Sequence, residues 1–261
     1  MELCSIASGS SGNCIYVGTD ATHLLVDVGI SGKKTEGGLN SIGQSLKNID
    51  GILVTHEHSD HICGLGVLSR KYHIPIFATR GTIAAIKMSS SVGKIEEDLF
   101  VPIKADESFR IKDITVEPMR TSHDAAEPVA YRMRYENKKI AIATDLGTYN
   151  EYTVECLKGM DLLFLEANHD VNMLEIGNYP LPLKRRIRGK LGHLSNDDAA
   201  MAAEFLVKLG TEKILLGHLS EENNYPELAM QTVLCGLDKA GIKVGEDVLL
   251  DVASREKVVT I

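Results

Sequence analysis

Short apolar runs rich in β-branched residues open the chain. Cys14 to Gly18, His23 to Asp27 and Gly51 to Thr55 are each punctuated by Gly, Ser or other polar residues, and they read as strands. Apolar positions then recur at helical spacing over Gly64 to Tyr72 and Arg80 to Met88. Val129 to Tyr135 and Lys139 to Ala143, joined through Glu136-Asn137, predict a β-hairpin, with Asp145 just past its second strand. A second series of strands and helices follows at Leu162 to Leu165, Ser195 to Leu209, Lys213 to Leu216, Pro226 to Ala240 and Val248 to Val252. In the Ser195 helix, Ala199, Ala203 and Leu206 share one face behind a Ser195-x-x-Asp198 capping signature. Strands and helices in each half, with no linker, predict an α/β domain over 1–261 in which two sheets pack face to face with helices outside.

Composition narrows the class. With 44 % hydrophobic and 25 % charged residues and no low-complexity tract, disordered and fibrous chains are excluded. Met1-Glu2-Leu3-Cys4-Ser5-Ile6 carries an acid where a signal peptide has its basic region, and no apolar run is of membrane-spanning length, so the expected location is cytoplasmic and no membrane is involved. Five cysteines, widely spread and without a Cys-x-x-Cys pair, support neither a disulfide framework nor a thiolate zinc site. They are expected to be reduced thiols, mostly buried. A net charge of -8 argues against a protein that coats nucleic acid through its overall field, and leaves room for a local basic patch. Oligomeric state is not read from the sequence.

The chemistry concentrates after the strand Gly51 to Thr55. His56-Glu57-His58-Ser59-Asp60-His61 sets three imidazoles and a carboxylate within six residues at a strand-to-helix junction. Neutral imidazole and carboxylate suit Zn²⁺ or Mn²⁺, and residues leaving a strand in alternating directions can feed two ions from one turn. Further ligand candidates stand just past predicted strands: His123, Asp145 and His218.

This order, His-x-His-x-Asp-His followed by His, Asp and His, resembles the metallo-β-lactamase fold superfamily over essentially the whole chain. The resemblance implies a four-layer αββα sandwich of two mixed sheets. It implies two divalent metal ions, Zn²⁺, Mn²⁺ or Fe²⁺, with His56, His58 and His123 on one, Asp60, His61 and His218 on the other, and Asp145 bridging. Asp27, at the end of its strand, would orient the His-rich turn from behind. Full His58 and His218 disfavour the flavodiiron branch, and the absent Cys ligand disfavours the antibiotic-hydrolysing branch.

Phe164-Leu165-Glu166-Ala167-Asn168 resembles the His-Glu-Ala-Thr segment of the transfer-RNA processing phosphodiesterases, and Gly192-His193-Leu194-Ser195 falls where those enzymes keep a second histidine. By that likeness Glu166 and His193 act in proton delivery to the leaving oxygen, and Asp60 joins them among the catalytic residues. His169 and Asp170 read either as outer groups of the site or as a surface turn. The opening Ser8-Gly9-Ser10-Ser11-Gly12-Asn13-Cys14, with Asn178-Tyr179-Pro180, Lys184-Arg185-Arg186 and Gly217-His218-Leu219-Ser220, is similar to the bacterial YycJ/WalJ-type metallo-hydrolases, a group associated with 5′ to 3′ exonuclease action on double-stranded DNA. In that light the opening loop, Asn13 included, is a rim contact for phosphate. It reads equally as a tight strand connection. Lys184-Arg185-Arg186-Ile187-Arg188-Gly189-Lys190 carries five positive charges in seven residues between Glu166 and His193. A phosphate-tracking strip is the functional reading and a solvated face the plain one.

The expected function is therefore a dinuclear metal phosphodiesterase acting on DNA. The alternative is a small-molecule hydrolase of a cyclic phosphodiester or thioester, which needs no basic strip. A non-catalytic regulatory module is disfavoured by the complete set of ligands.

Overall fold

Residues 1–260 are described by a computed structural model. In chain order the elements are β1 (Glu2–Ala7), β2 (Cys14–Gly18), β3 (His23–Val26), α1 (Gly32–Ser41), β4 (Gly51–Leu53), α2 (Ser59–Ile62), α3 (Leu65–Tyr72), β5 (Ile76–Thr79) and α4 (Arg80–Met88). There follow β6 (Phe100–Ile103), β7 (Phe109–Ile111), β8 (Ile114–Arg120), β9 (Val129–Tyr135), β10 (Lys138–Ala143), α5 (Glu151–Leu157), β11 (Leu162–Glu166), α6 (Val171–Ile176) and α7 (Leu181–Ile187). The chain closes with α8 (Asn196–Lys208), β12 (Lys213–Gly217), α9 (Pro226–Lys239), β13 (Leu249–Val252) and β14 (Val259–Thr260). The class is α/β with two mixed sheets and accompanying helices, as expected.

The chain divides into two units: Met1–Arg120 with Ala125–Tyr135 and Ser254–Ile261, and Thr121–Asp124 with Glu136–Ala253. In the first, the sheet runs β14-β1-β2-β3-β4-β5-β6. Its early strands pair antiparallel and β3 to β6 pair parallel. Its middle is buried on both faces, so β2 and β3 are near-continuous apolar runs rather than alternating ones. Tyr16, Leu25, Leu39, Ile52, Ile62, Leu65 and Leu68 form the core against this sheet, each at most 1 % exposed. β7, β8 and β9 form an antiparallel meander, and fully buried Tyr131 of β9 gives its hydroxyl to the carbonyl of Val54 at 2.8 Å. That bond fixes the exit of β4, where the His-rich turn begins.

In the second unit β10, β11, β12 and β13 are parallel, with Ala143, Leu165, Leu216 and Val252 in register. Parallel strands in register bring their carboxyl ends to one edge, the edge where α/β sheets place ligands. Asp145, Glu166 and His218 all stand there. The predicted capping box on α8 is present: Ser195 Oγ accepts from the Asp198 N–H, and the Asp198 carboxylate accepts from Ser195. Among the described residues no helix is long and apolar enough to cross a membrane. All five cysteines are free thiols, with Cys4 and Cys14 buried but Cys63 and Cys235 exposed.

Candidate functional site

The His-rich turn is built by hydrogen bonds to imidazole Nδ1 atoms. Asp27 sits one residue past β3 in the left-handed region, φ +59°. Its carboxylate accepts from the Thr55 N–H and hydroxyl, each at 2.8 Å, and Oδ2 lies 2.7 Å from His61 Nδ1. The carboxylate thereby fixes the His61 proton on Nδ1 and makes Nε2 the lone-pair nitrogen, 3.4 Å from Asp60 Oδ2. Thr55 Oγ1 is also 3.0 Å from His56 Nδ1, while His56 Nε2 meets His58 Nδ1 at 3.0 Å. Two ring nitrogens converging this closely match two ligands of one tetrahedral ion, about 3.3 Å apart for metal–nitrogen bonds near 2.0 Å. Gly29 is needed for close approach, since a Cβ there would stand 1.6 Å from the Asp60 carbonyl oxygen.

Asn13, expected at the rim, is 2 % exposed. Its N–H donates to the Asp60 carbonyl at 2.8 Å, and its carboxamide binds Gly9 at both ends and approaches His61 Nε2 at 3.3 Å. The side chain holds the opening loop to the turn, and the exposed members of that loop are Ser10 and Ser11.

In the second unit the ligand candidates gather around one buried carboxylate. Asp145, Glu166, His193 and His218 offer ligand atoms all within 4.8 Å of one another. Glu166 is fully buried. Its Oε2 accepts from the N–H groups of Leu146 at 2.8 Å and Leu194 at 3.1 Å. Its Oε1 lies 2.8 Å from His193 Nδ1 and 3.0 Å from His218 Nδ1. Burial opposes ionisation of this carboxyl, but the charges and hydrogen bonds of the two imidazoles override it and hold Glu166 well below the usual carboxylate range. With Nδ1–H of each ring committed to Glu166, Nε2 of His218 is the lone-pair nitrogen, 3.6 Å from Asp145 Oδ1. His123 repeats the device: its Nδ1 is 3.1 Å from the Gly192 carbonyl and its Nε2 3.6 Å from Asp145 Oδ1. Asp145 and His218 both have φ of +58°. Three L-residues in the left-handed region, each just after a parallel strand, store about 1–3 kcal/mol apiece, a cost tolerated where side-chain placement matters.

The donor set fits a divalent ion. His61, His123 and His218 each have Nδ1 held by a protein acceptor with Nε2 turned to a carboxylate, the arrangement that prepares a neutral imidazole as a ligand.

The basic segment is in part engaged. Arg186 is bidentate on Asp124, with one bond of 2.9 Å, Lys184 Nζ donates to the Glu175 carbonyl, and Arg188 lies 4.0 Å from Glu175. Arg185 and Lys190 are exposed. The end of the segment grips the loop carrying His123: Ser122 Oγ donates to the Lys190 carbonyl at 2.7 Å and the Asp124 N–H to Leu191 at 3.1 Å. His169 is 2 % exposed, its Nδ1 without a hydrogen-bond partner among the described residues, and burial pushes it down to about 4. Asp170 caps α6 by accepting from the Met173 N–H. Thr55, Asn168, which donates to the His218 carbonyl at 2.9 Å, and Asp124 were not singled out by the sequence. Thr55, last before the His-rich run, and Asn168, two residues past Glu166 in the same motif, carried a positional hint.

A family model described as Beta-lactamase superfamily domain matches residues 22–219. Exodeoxyribonuclease YycJ of Bacillus anthracis is 44 % identical over 241 residues, covering 92 % of this chain and 90 % of that protein. Exodeoxyribonuclease WalJ of Streptococcus pneumoniae (serotype 2, strain D39) is 42 % identical over 242 residues, covering 93 % and 90 %. Among solved structures, the metallo-beta-lactamase fold protein YhfI from Bacillus subtilis superposes with a TM-score of 0.73 at 16 % identity, covering 100 % of this chain and 98 % of that one. Zn²⁺-bound PqqB from Methylobacterium extorquens gives 0.73 at 16 %, covering 100 % of both. At such identities these two likenesses are of fold.

Proposed function

The chain belongs to the beta-lactamase superfamily, in its metallo-hydrolase fold, and from that premise we propose that it is a dinuclear phosphodiesterase that degrades double-stranded DNA from 5′ ends. The observation that carries the chemistry is the single oxygen of Glu166 shared by His193 and His218. It ties a proton-delivering imidazole to a ligand imidazole through one buried anion. The choice of DNA is supported by relatives named exodeoxyribonucleases, alike over nearly the whole of both chains, and by the exposed cations of the basic segment.

In this reading His56, His58 and His123 hold one ion, Asp60, His61 and His218 the other, and Asp145 serves both. Such ions, Zn²⁺, Mn²⁺ or Fe²⁺ by donor chemistry, supply Lewis acidity toward a phosphodiester and activate water. The protein's own groups do the rest. Asp27 and Glu166 fix the tautomers of His61 and His218, so their lone pairs stay directed. Glu166 remains ionised, keeps the Nδ1–H of His193 committed, and so makes Nε2 the atom that gives its proton to the leaving alkoxide. Arg185 and Lys190 contact flanking phosphates.

One side-by-side assay tests this: Mn²⁺-loaded protein on end-labelled duplex DNA, single-stranded DNA, RNA and a cyclic phosphodiester. A 5′ label on duplex should be released at once while a 3′ label persists on shortening fragments. Hydrolysis of the cyclic phosphodiester with the duplex left intact would replace the proposal by the small-molecule reading.

A further inference from the structure

Away from the His-rich turn, the first unit holds a cleft of about 820 Å³ between α1 and the segment 255–260. This lies in the size range of ligand sites. Ile6, Ile30, Ile42 and Val258 give it apolar walls. Lys34, Arg255 and Lys257 bring three cations to the lining against one carboxylate, Glu256, on a chain whose net charge is -8. No ion pair engages Lys34 or Lys257 among the described residues.

Gly37 adds a separate clue. Glycine within a helix is destabilising relative to alanine. Its neighbour Gly38 is explained by packing, since a Cβ there would stand 2.3 Å from Ile6 Cγ2. A Cβ on Gly37 would meet nothing within 4 Å, although the residue lines the cleft. Packing within the unit therefore gives no reason for glycine at this position, whereas close approach of a ligand to the helix backbone does.

The cleft is also tied to the His-rich turn through the chain of the same unit. Ser8 N–H bonds the Ser254 carbonyl at 3.1 Å, one residue from Ala7 and from Arg255 on the walls. Gly29, backed against Asp60, directly precedes Ile30. The loop 8–13, held to Asp60 through Asn13, thus links the cleft walls to the His-rich turn.

We propose that this cleft binds a single-stranded stretch of the nucleic-acid substrate, with Lys34, Arg255 and Lys257 on its phosphates and the isoleucine-lined walls against its bases. The inference rests on the DNA-hydrolase reading and gives it a second contact region. Cations interleaved with apolar walls suit an unpaired strand, whose base faces are available, whereas a duplex turns only its backbone outward.

The test uses full-length, metal-loaded protein and phosphorothioate oligonucleotides of increasing length, followed by fluorescence anisotropy across a salt series. Wild-type affinity should rise with strand length. Lys34→Gln with Lys257→Gln should flatten the log–log salt slope by about 1.4 on the longer strands, two phosphate contacts at about 0.7 each. Gly37→Leu should abolish the gain with length while its thermal midpoint stays at or above wild type, so the loss is obstruction and not unfolding. If wild type cuts DNA but these variants keep its length dependence and slope, the cleft proposal fails and the DNA reading stands. If wild type neither binds nor cuts DNA, that reading fails and takes this one with it. If a free deoxynucleoside monophosphate binds as tightly as the longest strand, the cleft is a mononucleotide site and the strand proposal is wrong.

Discussion

Glu166 Oε1 lies 2.8 Å from Nδ1 of His193, inside a carboxylate that has no exposed surface. The pairing decides which ring nitrogen carries which proton, and a second imidazole, His218, leans on the same oxygen at 3.0 Å. Removing either partner should thus have different consequences, and the difference is measurable.

His193→Ala should keep its metals and its fold yet slow DNA turnover by about 10² to 10⁴, the usual contribution of a general acid. The loss should shrink on a substrate whose leaving group is para-nitrophenolate, which departs without a proton. Glu166→Gln should do more, because His218 also loses its orienting anion, and metal affinity should fall by about 10 to 100-fold. Metal analysis with both substrates checks the pair, and equal losses of His193→Ala on both leaving groups would overturn the proton-delivery role.

Asp145→Asn should lose metal content and activity together. Asparagine tolerates the left-handed backbone that Asp145 adopts at φ +58°, so the change removes charge without forcing the turn. Two ions bound with near-wild-type turnover would rule out Asp145 as the shared carboxylate.

The candidate ligands were legible in the sequence because they follow strands. β2, α4 and β9 have the bounds that their apolar patterns gave, and Asp145, Glu166 and His218 stand at one edge because β10, β11 and β12 are parallel and in register. Asp27 apart, which stands at the end of its own strand and meets His61 Nδ1 at 2.7 Å, the groups that support them were not legible. Thr55 reaches Asp27 across 28 positions of sequence, and His123 leans on the carbonyl of Gly192 across 69. A backbone acceptor has no side-chain signature, and a lone threonine at a strand end has no period. The opening loop left two readings open for a related reason: a Gly- and Ser-rich stretch suits an open rim or a tight connection alike, and the Asn13 carboxamide, which closes the loop on itself, favours the second for that side chain. α1 was missed because its Gly37-Gly38 pair weakens both helical propensity and apolar periodicity.

His169 makes acid stability a readout of the buried site. Burial pushes this imidazole down to about 4, below its ordinary value near 6.5. The unfolded chain therefore binds the proton first as pH falls, and stability declines between about pH 6.5 and 4, at no more than about 1.4 kcal/mol per pH unit from this group. His169→Leu removes that proton uptake. In urea unfolding of the metal-free protein, the variant should gain on wild type steadily from pH 7 to pH 4, and a stability difference independent of pH would show that His169 is not the group responsible.

The basic segment separates a DNA enzyme from a small-molecule one, provided its cations are not treated alike. Arg185 and Lys190 are exposed, so replacing both with glutamine should weaken duplex binding and flatten the log–log salt slope by about 1.8, two contacts at about 0.9 each. Hydrolysis of bis-para-nitrophenyl phosphate should stay near wild type, since that substrate has no flanking phosphates. Arg186 differs because its guanidinium is held by Asp124, the residue after His123. Arg186→Gln leaves that carboxylate without its bidentate partner and loosens the loop that carries His123, a proposed ligand. It should therefore lower metal affinity and slow both substrates, with little change in salt slope beyond the one charge removed. The paired measurements, slope on duplex and rate on the small diester, place each cation on phosphate or on the His123 loop. Wild-type slope and affinity in the Arg185 and Lys190 double variant would reduce the segment to a solvated face.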